Sequence, residues 1–300
     1  MATYPMLQQS NEERVALLSS AAPRALAVAV GRKRVLSGIL WRGEIAVTAA
    51  EGLAGAERVE VRSEAGASSA EIIATDLTTD VAVLRVSGSV TDSAAVASAA
   101  PRLGEVVAIV GRDARGAAAI WGTVRHVSGA WRSRRGGEIA RRIELDARFD
   151  PAFEGAAVID ASGAVTAMAV PGPQRRILGI PGTTIERVLG EIERHGHLAR
   201  PYLGVRLQAL WLDEPASREL GRPERAVAIV AGIDSGSPAA QAHVELGDLL
   251  LRVDGQVIDG AETLARRIAA AGLGNTISLE VLRGGKPLEI EVRVGERPRE

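Results

Sequence analysis

Short apolar segments rich in β-branched residues, each ended by a turn, fill the chain from Arg24 to about Ile180. They are Ala25 to Val30, Val35 to Trp41, Ile45 to Val47, Val59 to Val61, Val81 to Val86, Val106 to Val110, Ala118 to Val127, Ile143 to Leu145, Ala156 to Ile159 and Val165 to Val170. No long amphipathic helix alternates with them. This pattern is typical of an antiparallel sandwich or barrel and disfavours a parallel sheet with crossover helices.

The pattern changes after Ile180. A helix capped by Thr183 or Thr184 is predicted, because apolar residues recur at the three-and-four spacing of one buried face before Gly196: Ile185, Val188, Leu189 and Ile192. After Pro201 the order is strand, helix, strand, with helices predicted at Ser237-Pro238 and Ala261 to Ala271. A closing hairpin follows over 276–292. We therefore predict an N-terminal segment (1–22), a β-barrel domain (23–199) and an α+β domain (200–300).

Charge and composition exclude several kinds of protein. The 36 basic and 37 acidic residues leave a net charge of −1, so neither nucleic acid nor an anionic membrane is expected as a partner. The absence of cysteine excludes disulfides and thiol catalysis. No apolar run reaches the roughly 18 residues that cross a bilayer. Glu12 and Glu13 lie where a secretory signal is basic, so we expect a cytoplasmic protein as written, or a periplasmic one if the N-terminus was truncated.

Six ordered motifs resemble one bacterial family. They are SGILWRGEIAVTAAEGL (37–53), ATDLTTDVAVLRV (74–86), GTVRHVSG (122–129), LDARFDPAFEGAAVIDASGAV (145–165), GIPGTTIERVLGEIERHGH (179–197) and RPYLGV (200–205). With GSPAAQA and GDLLLRVDGQVIDGAETL further on, the chain resembles the HtrA/DegP family of trypsin-like proteases with one C-terminal PDZ domain. The resemblance implies a mainly β fold of two barrels and an α+β PDZ domain, a homotrimer, and a role in protein quality control.

Two positions of the family's catalytic triad are replaced. Where the family has the triad histidine this chain has Glu51, and where it has the serine this chain has Glu154, whereas Asp80 matches the aspartate. A carboxylate is a weaker base than imidazole near neutral pH and a poor nucleophile toward an amide. Ala152 and Phe153 also replace the Gly-Asn pair of the loop that forms the oxyanion hole. These changes predict a protein that is not an enzyme, with no active catalytic residue.

The resemblance would bring three carboxylates into one cleft, where they repel each other. One of them can hold a proton, an arginine such as Arg148 can neutralise them, or a hard cation such as Ca²⁺ can lie between them. Separate solvation of each carboxylate is the simplest alternative. We expect no metal and no cofactor.

The second site implied by the resemblance is a peptide groove in the PDZ domain. Its residues would form a carboxylate-binding loop with an arginine, and an apolar pocket for the ligand's last side chain. They are Arg200, Tyr202, Leu203, Gly204 and Val205 for the loop, and Leu207, Leu264 and Ile268 for the pocket. Ordinary core packing explains the last three equally well. The expected ligands are peptides or protein C-termini that add a strand to the sheet.

The sequence therefore predicts an inactive HtrA-like protein that binds protein C-termini and acts as a scaffold, chaperone-like or regulatory subunit. Two alternatives stay open. One is a hydrolase of altered chemistry that uses Glu51, Asp80 and Glu154, and the other is a structural subunit that pairs with an active paralogue. An apolar N-terminal segment, Tyr4 to Leu7, is a candidate anchor for the homotrimer.

Overall fold

Two closed β-barrels and a smaller α+β unit make up the protein. The computed structural model describes residues 5–31, 34–53, 55–56, 58–88, 94–97, 100–195, 201–219 and 226–297. The chain divides into two units, 1–131 with 138–198, and 132–137 with 199–300. The predicted domain bounds differ from this division at the short segment 132–137, and they stay a prediction.

The described helices and strands follow one another in this order. The helices are α1 (Pro5–Ala21), α2 (Gly182–His195), α3 (Glu214–Glu219), α4 (Pro238–Gln241) and α5 (Ala261–Ala271). The strands of the first unit are β1 (Ala25–Val30), β2 (Arg34–Arg42), β3 (Ile45–Ala49), β4 (Arg58–Ser63), β5 (Gly66–Asp76), β6 (Val81–Val86), β7 (Val106–Asp113), β8 (Gly116–Ser128), β9 (Trp131–Arg132), β10 (Glu138–Ile139), β11 (Arg142–Arg148), β12 (Ala157–Ile159), β13 (Val165–Pro171) and β14 (Arg176–Pro181). Those of the second unit are β15 (Pro201–Tyr202), β16 (Val205–Trp211), β17 (Ala226–Ile233), β18 (Leu249–Val253), β19 (Gln256–Val257), β20 (Thr276–Arg283), β21 (Lys286–Arg293) and β22 (Gly295–Glu296).

The first barrel closes through the pairing of β1 with β4, where Val28 faces Val61, in the order β1-β2-β3-β6-β5-β4. Its strands alternate as a half-buried strand requires: Val59 and Val61 of β4 are buried and Glu60 between them is exposed. The interior is aliphatic. The observed antiparallel barrel confirms the fold class expected from the short β-branched segments.

The second barrel has the order β11-β14-β13-β12-β7-β8 and its own aliphatic interior. Between the barrels lies a third cluster to which both contribute, for example Ile39 and Trp41 from the first and Met168 and Ile180 from the second. One face of α2 joins this cluster through fully buried residues, as its periodicity predicts: Ile185, Val188 and Leu189. The two barrels therefore share one continuous core.

A polar contact fixes α2 to the first barrel. The indole N–H of buried Trp41 donates to Glu186 at 2.6 Å, and Arg42 pairs with Glu186 at 3.1 Å and Glu193 at 2.7 Å. A buried indole N–H needs such a partner, because leaving it unpaired costs the desolvation free energy of the donor. Glu186 therefore satisfies the one polar atom of the largest side chain in this core.

Helix α1 is an element that the sequence analysis does not predict. Only a short stretch near its end is packed against the rest of the protein, where Leu17, Leu18 and Ala21 contact the shared core. Arg14 lies over the Trp121 ring at 5.2 Å from its centroid. Without a long apolar stripe, its sequence gives no helical periodicity to read.

The second unit has a sheet in the order β16-β17-β18-β20-β21, with β19 paired to β18. Helices α4 and α5 begin and end close to the predicted positions, and Ser237 caps α4 by accepting from Ala240 N–H. A buried ion pair ties β20 to the loop before β18: Arg283 donates to both oxygens of Asp248 at 2.8 Å. Although burial raises the pKa of Asp248, the hydrogen bonds from Arg283 hold it below its usual range.

Candidate active site and peptide groove

Asp80 lies in the turn immediately before β6 in a left-handed backbone conformation, with φ of 60°. This turn is held by Asp76, which accepts from Thr78 and Thr79. In this position Asp80 accepts from the backbone N–H of Glu51 at 2.8 Å. The Asp80 carboxylate thereby fixes the 3-10 turn Glu51–Leu53 that follows β3. The same hydrogen bond holds Glu51 next to Asp80.

Glu154 lies on the loop between the 3-10 turn Pro151–Phe153 and β12, and only 6% of it is exposed. Its carbonyl accepts from Ser37 N–H at 2.8 Å. The next residue, Gly155, has φ of 87°, and a Cβ there would lie 2.2 Å from the Ser37 carbonyl oxygen. Only glycine fits this close approach of the two barrels, so the loop carries the Glu154 side chain inward.

Arg34 neutralises Glu154. Its Nη2 donates to both carboxylate oxygens at 2.9 Å, while the Arg34 side chain remains 47% exposed. A carboxylate this buried would be very costly without a cationic partner. The sequence analysis offers Arg148 as an example of a neutralising arginine, and the structure corrects this, because the pairing arginine is Arg34 of β2.

The three candidate triad positions act on one another electrostatically. Burial, with the charges of Glu51 and Glu154, raises the pKa of Asp80 from 3.8 to about 7, against the lowering effect of the Glu51 N–H. Asp80 therefore holds its proton up to about pH 7. Of the arrangements that the sequence left open, neutralisation by an arginine is present at Glu154, and the raised pKa of Asp80 favours a proton on that carboxyl. Among the described residues, no group of three or more acidic or histidine side chains is arranged to hold a metal ion.

In the loop before Glu154, two backbone N–H groups donate to acceptors within the same loop. Ala152 N–H donates to Asp150 at 2.9 Å, and Glu154 N–H donates to the Pro151 carbonyl at 3.2 Å. In a trypsin-like site the amides at these two positions would point at the oxyanion. Here an oxyanion has to compete with both internal hydrogen bonds, which agrees with the altered loop expected from Ala152 and Phe153.

The predicted carboxylate loop joins β15 to β16. Leu203 is buried, Gly204 has φ of 81°, and a Cβ on Gly204 would lie 2.2 Å from Ser237 Cβ. The Gly204 carbonyl accepts from Asp234 N–H at 2.9 Å, and the Tyr202 hydroxyl donates to the Asp234 carboxylate. The loop is thus tied to Asp234, which follows β17, through Tyr202 and through Gly204 itself.

The predicted pocket residues lie in one apolar cluster of the second unit. Leu264 and Ile268 of α5 are buried, and Leu207 of β16 is half-buried against the same cluster. Arg200 lies outside the described residues. A cation near the loop that the sequence analysis missed is Arg206, which pairs with Asp234 at 2.9 Å and covers Gly232.

Comparison with known proteins identifies both domains. Residues 36–168 match the trypsin-like peptidase domain and residues 201–294 match the PDZ domain. "Probable periplasmic serine endoprotease DegP-like" of Brucella suis is 30% identical over 240 residues, which is 76% of this chain and 46% of that protein. The protein of the same name from Halomonas elongata is 28% identical over 245 residues, 76% of this chain and 49% of that protein. The chain thus spans about half the length of the curated relatives it matches.

Solved structures agree over almost the whole chain. The structure named "HtrA-type protease AlgW with tripeptide" has 26% identity and a TM-score of 0.58, and covers 95% of this chain and 98% of that one. "HtrA-type protease AlgW with decapeptide" has 24% identity and a TM-score of 0.63, and covers 95% and 99%. The chain therefore has a trypsin-like peptidase domain followed by a PDZ domain, and in this it is similar to the structures named HtrA-type proteases.

The prediction that the protein is not an enzyme is wrong. Its relatives are named serine endoproteases, which points to a protease. The prediction treated the replacement of two triad side chains as evidence that activity is lost.

No helix among the described residues is long and apolar enough to cross a membrane.

The raised pKa of Asp80 predicts a pH-dependent stability. Because the folded protein binds a proton that the unfolded chain releases near pH 3.8, this carboxyl favours folding fully below pH 4 and loses that contribution as pH rises to 7. Asp80→Asn keeps an acceptor for Glu51 N–H and tolerates the positive φ. It should match the wild type near pH 4 and exceed it by on the order of 2–4 kcal/mol at pH 8. Urea unfolding at five pH values measures this.

Asp113→Asn is the matched control. The hydrogen bond from Arg115 lowers the pKa of Asp113, so that variant should gain no stability as pH rises. A constant difference between Asp80→Asn and wild type across this pH range would contradict the raised pKa.

Proposed function

We propose that this protein binds the free C-termini of extended polypeptides in its PDZ domain, and that it thereby acts as a scaffold, chaperone-like or regulatory component in protein quality control. The observation that carries the proposal is the arrangement of β16. This strand lies at the edge of its sheet, next to α5 and directly after the loop 203–204. An edge strand can pair with an added peptide strand, and the backbone N–H groups around Gly204 can form a small anion-binding nest.

The apolar side chains beside this edge supply the specificity. Leu207, Leu264 and Ile268 would accept an apolar C-terminal side chain between β16 and α5. The names of two solved relatives mention a tripeptide and a decapeptide, which supports peptides as the ligand class. Arg200, which the sequence suggests as a charge partner for the carboxylate, lies outside the described residues.

Peptide binding should depend on the free carboxylate. We expect a fluorescent hexapeptide that ends in an apolar residue to bind with a Kd of about 1 μM to 100 μM, and its C-terminal amide to bind at least about tenfold more weakly. Gly204→Ala should abolish binding, because its Cβ would collide with Ser237. Fluorescence anisotropy measures both effects.

Gly255→Ala provides a matched control. It also has a positive φ, 71°, but no atom lies within 4 Å of its added Cβ and it is outside the groove. This variant should bind like the wild type. Equal affinity for the acid and the amide would refute the carboxylate nest.

A second candidate function is hydrolysis of polypeptides at the carboxylate cluster. The specific observation is that Asp80 has a pKa of about 7 beside Glu51 and Glu154. Carboxyl groups that share a proton can activate water toward an amide, as in aspartic proteases. The relatives named serine endoproteases support polypeptide as the substrate class. A carboxylate mechanism does not need the histidine and serine that Glu51 and Glu154 replace.

Hydrolysis by this mechanism should fall as pH rises through 7, because Asp80 then loses its proton. Purified protein incubated with casein from pH 4 to 8 should release peptides fastest on the acid side. Asp80→Asn should remove the activity, and Asp113→Asn, purified in parallel, should keep it. Equal release by all three proteins would indicate a contaminant and would contradict the mechanism.

We further propose a homotrimer that assembles through the barrel unit. Supporting observations are the exposed apolar residues at the start of α1, Met6 at 85% and Leu7 at 70%. Tyr4, the aromatic residue of the predicted anchor, lies outside the described residues. An exposed apolar end of this kind is commonly covered by a partner.

Light scattering tests the assembly. The full chain should have three times the 31.3 kDa mass of one chain, and a chain lacking residues 1–10 should be a monomer. A monomer in both cases would contradict the proposal.

A further inference from the structure

Trp211 is the last residue of β16, and 80% of it is exposed. It is far more exposed than two other tryptophans of the chain, Trp121 at 36% and Trp41 at 1%. Tryptophan is the residue with the largest apolar surface, and it is enriched at the centres of binding interfaces. An indole so exposed to water at the end of an edge strand calls for an explanation.

The register of the sheet shows on which face Trp211 lies. Leu207, Ala209 and Trp211 pair with Val230, Ala228 and Ala226 in turn, without a shift between them. Paired residues of an antiparallel ladder share a face, and alternate residues of a strand do so too. Ala228 and Val230 belong to the apolar cluster that includes Leu264 and Ile268 of α5. Trp211 is therefore on the groove face of β16.

We propose that Trp211 forms an upstream subsite of the peptide groove, which binds a large apolar side chain about six residues before the ligand's C-terminus. The proposal rests on the proposed binding of C-termini and deepens it. The occupant is the same polypeptide strand whose carboxylate is held at the loop 203–204. A free tripeptide would be too short to reach this subsite.

The spacing follows from strand geometry. An added strand antiparallel to β16 has its last residue near Val205 and runs toward Trp211, six residues along. At about 3.4 Å per residue the two ends are about 20 Å apart. The ligand's last residue, and the residues two, four and six positions before it, have their side chains on the same face as Leu207, Ala209 and Trp211. Small, exposed Ala209 leaves space between the two larger side chains.

The chemistry of Trp211 selects the ligand side chain. An indole offers a flat apolar surface, which stacks with aromatic rings and covers leucine, methionine or proline. The neighbouring exposed residues of the strand, Arg206 and Gln208, lie on the opposite face by the same alternation. A polar side chain six residues upstream would gain no comparable burial. The subsite therefore distinguishes C-termini by an apolar residue far from the carboxylate.

Three peptides test the proposal with the full-length protein. They are a tetrapeptide that ends in an apolar residue with a free carboxylate, an octapeptide with the same four C-terminal residues and phenylalanine six residues before the last, and the same octapeptide with phenylalanine moved one position toward the C-terminus. The wild type should bind the first octapeptide about tenfold more tightly than the tetrapeptide. The shifted octapeptide should lose the gain, because its ring lies on the other face.

Trp211→Ala should reduce the affinity for the first octapeptide to that for the tetrapeptide, and should leave the tetrapeptide unaffected. Trp121→Ala, in the other unit, is the control and should change neither affinity. If the tetrapeptide binds and the first octapeptide binds no better, the subsite is disproved while the groove stands. If neither peptide binds, or amidation has no effect, the proposed function itself fails.

Discussion

Ser37 connects the two barrels through its N–H and its hydroxyl, while its carbonyl is paired within the first barrel. Its N–H donates to the Glu154 carbonyl, its carbonyl accepts from Thr48 Oγ1 at 2.6 Å, and its hydroxyl donates to the Ala152 carbonyl at 2.7 Å. The same hydroxyl accepts from Arg112 N–H at 3.0 Å. The residue is fully buried, so each unpaired atom would cost free energy. The position of the Glu154 loop, and with it the candidate active site, depends on this set of bonds.

The close approach at Ser37 also explains two glycines. A Cβ on Gly111 would lie 2.3 Å from Ser37 Oγ, and one on Gly155 would lie 2.2 Å from the Ser37 carbonyl. The sequence shows both glycines without indicating that they face the same serine, because that contact joins three segments far apart in the chain. Most barrel strands, by contrast, were predictable from local patterns, since alternation and β-branching act over a few residues, although β5 and β14 were missed. The same holds for α2 and α5.

The candidate site could be predicted only in part, for the same physical reason. The motifs gave Glu51, Asp80 and Glu154 as neighbours, but the arginine that pairs with Glu154 lies 120 residues earlier, on β2. No local signal marks Arg34 among 34 arginines. The raised pKa of Asp80 also arises from burial and from charges on separate loops. The two replaced triad residues, together with the altered oxyanion loop, led to the expectation of no enzyme, which the serine endoprotease relatives contradict.

The two edge strands of the PDZ sheet differ in the residues that they expose, and this difference affects which strand can bind a peptide. At one edge, β21 has charged residues facing solvent on alternate positions and a proline near its start: Lys286, Pro287, Glu289, Glu291 and Arg293. Such residues discourage pairing with another strand. At the other edge, β16 has no proline and ends in an exposed tryptophan. An exposed apolar edge strand promotes aggregation unless a ligand covers it. Because charged residues and a proline protect β21 and nothing comparable protects β16, strand addition is favoured at β16 alone.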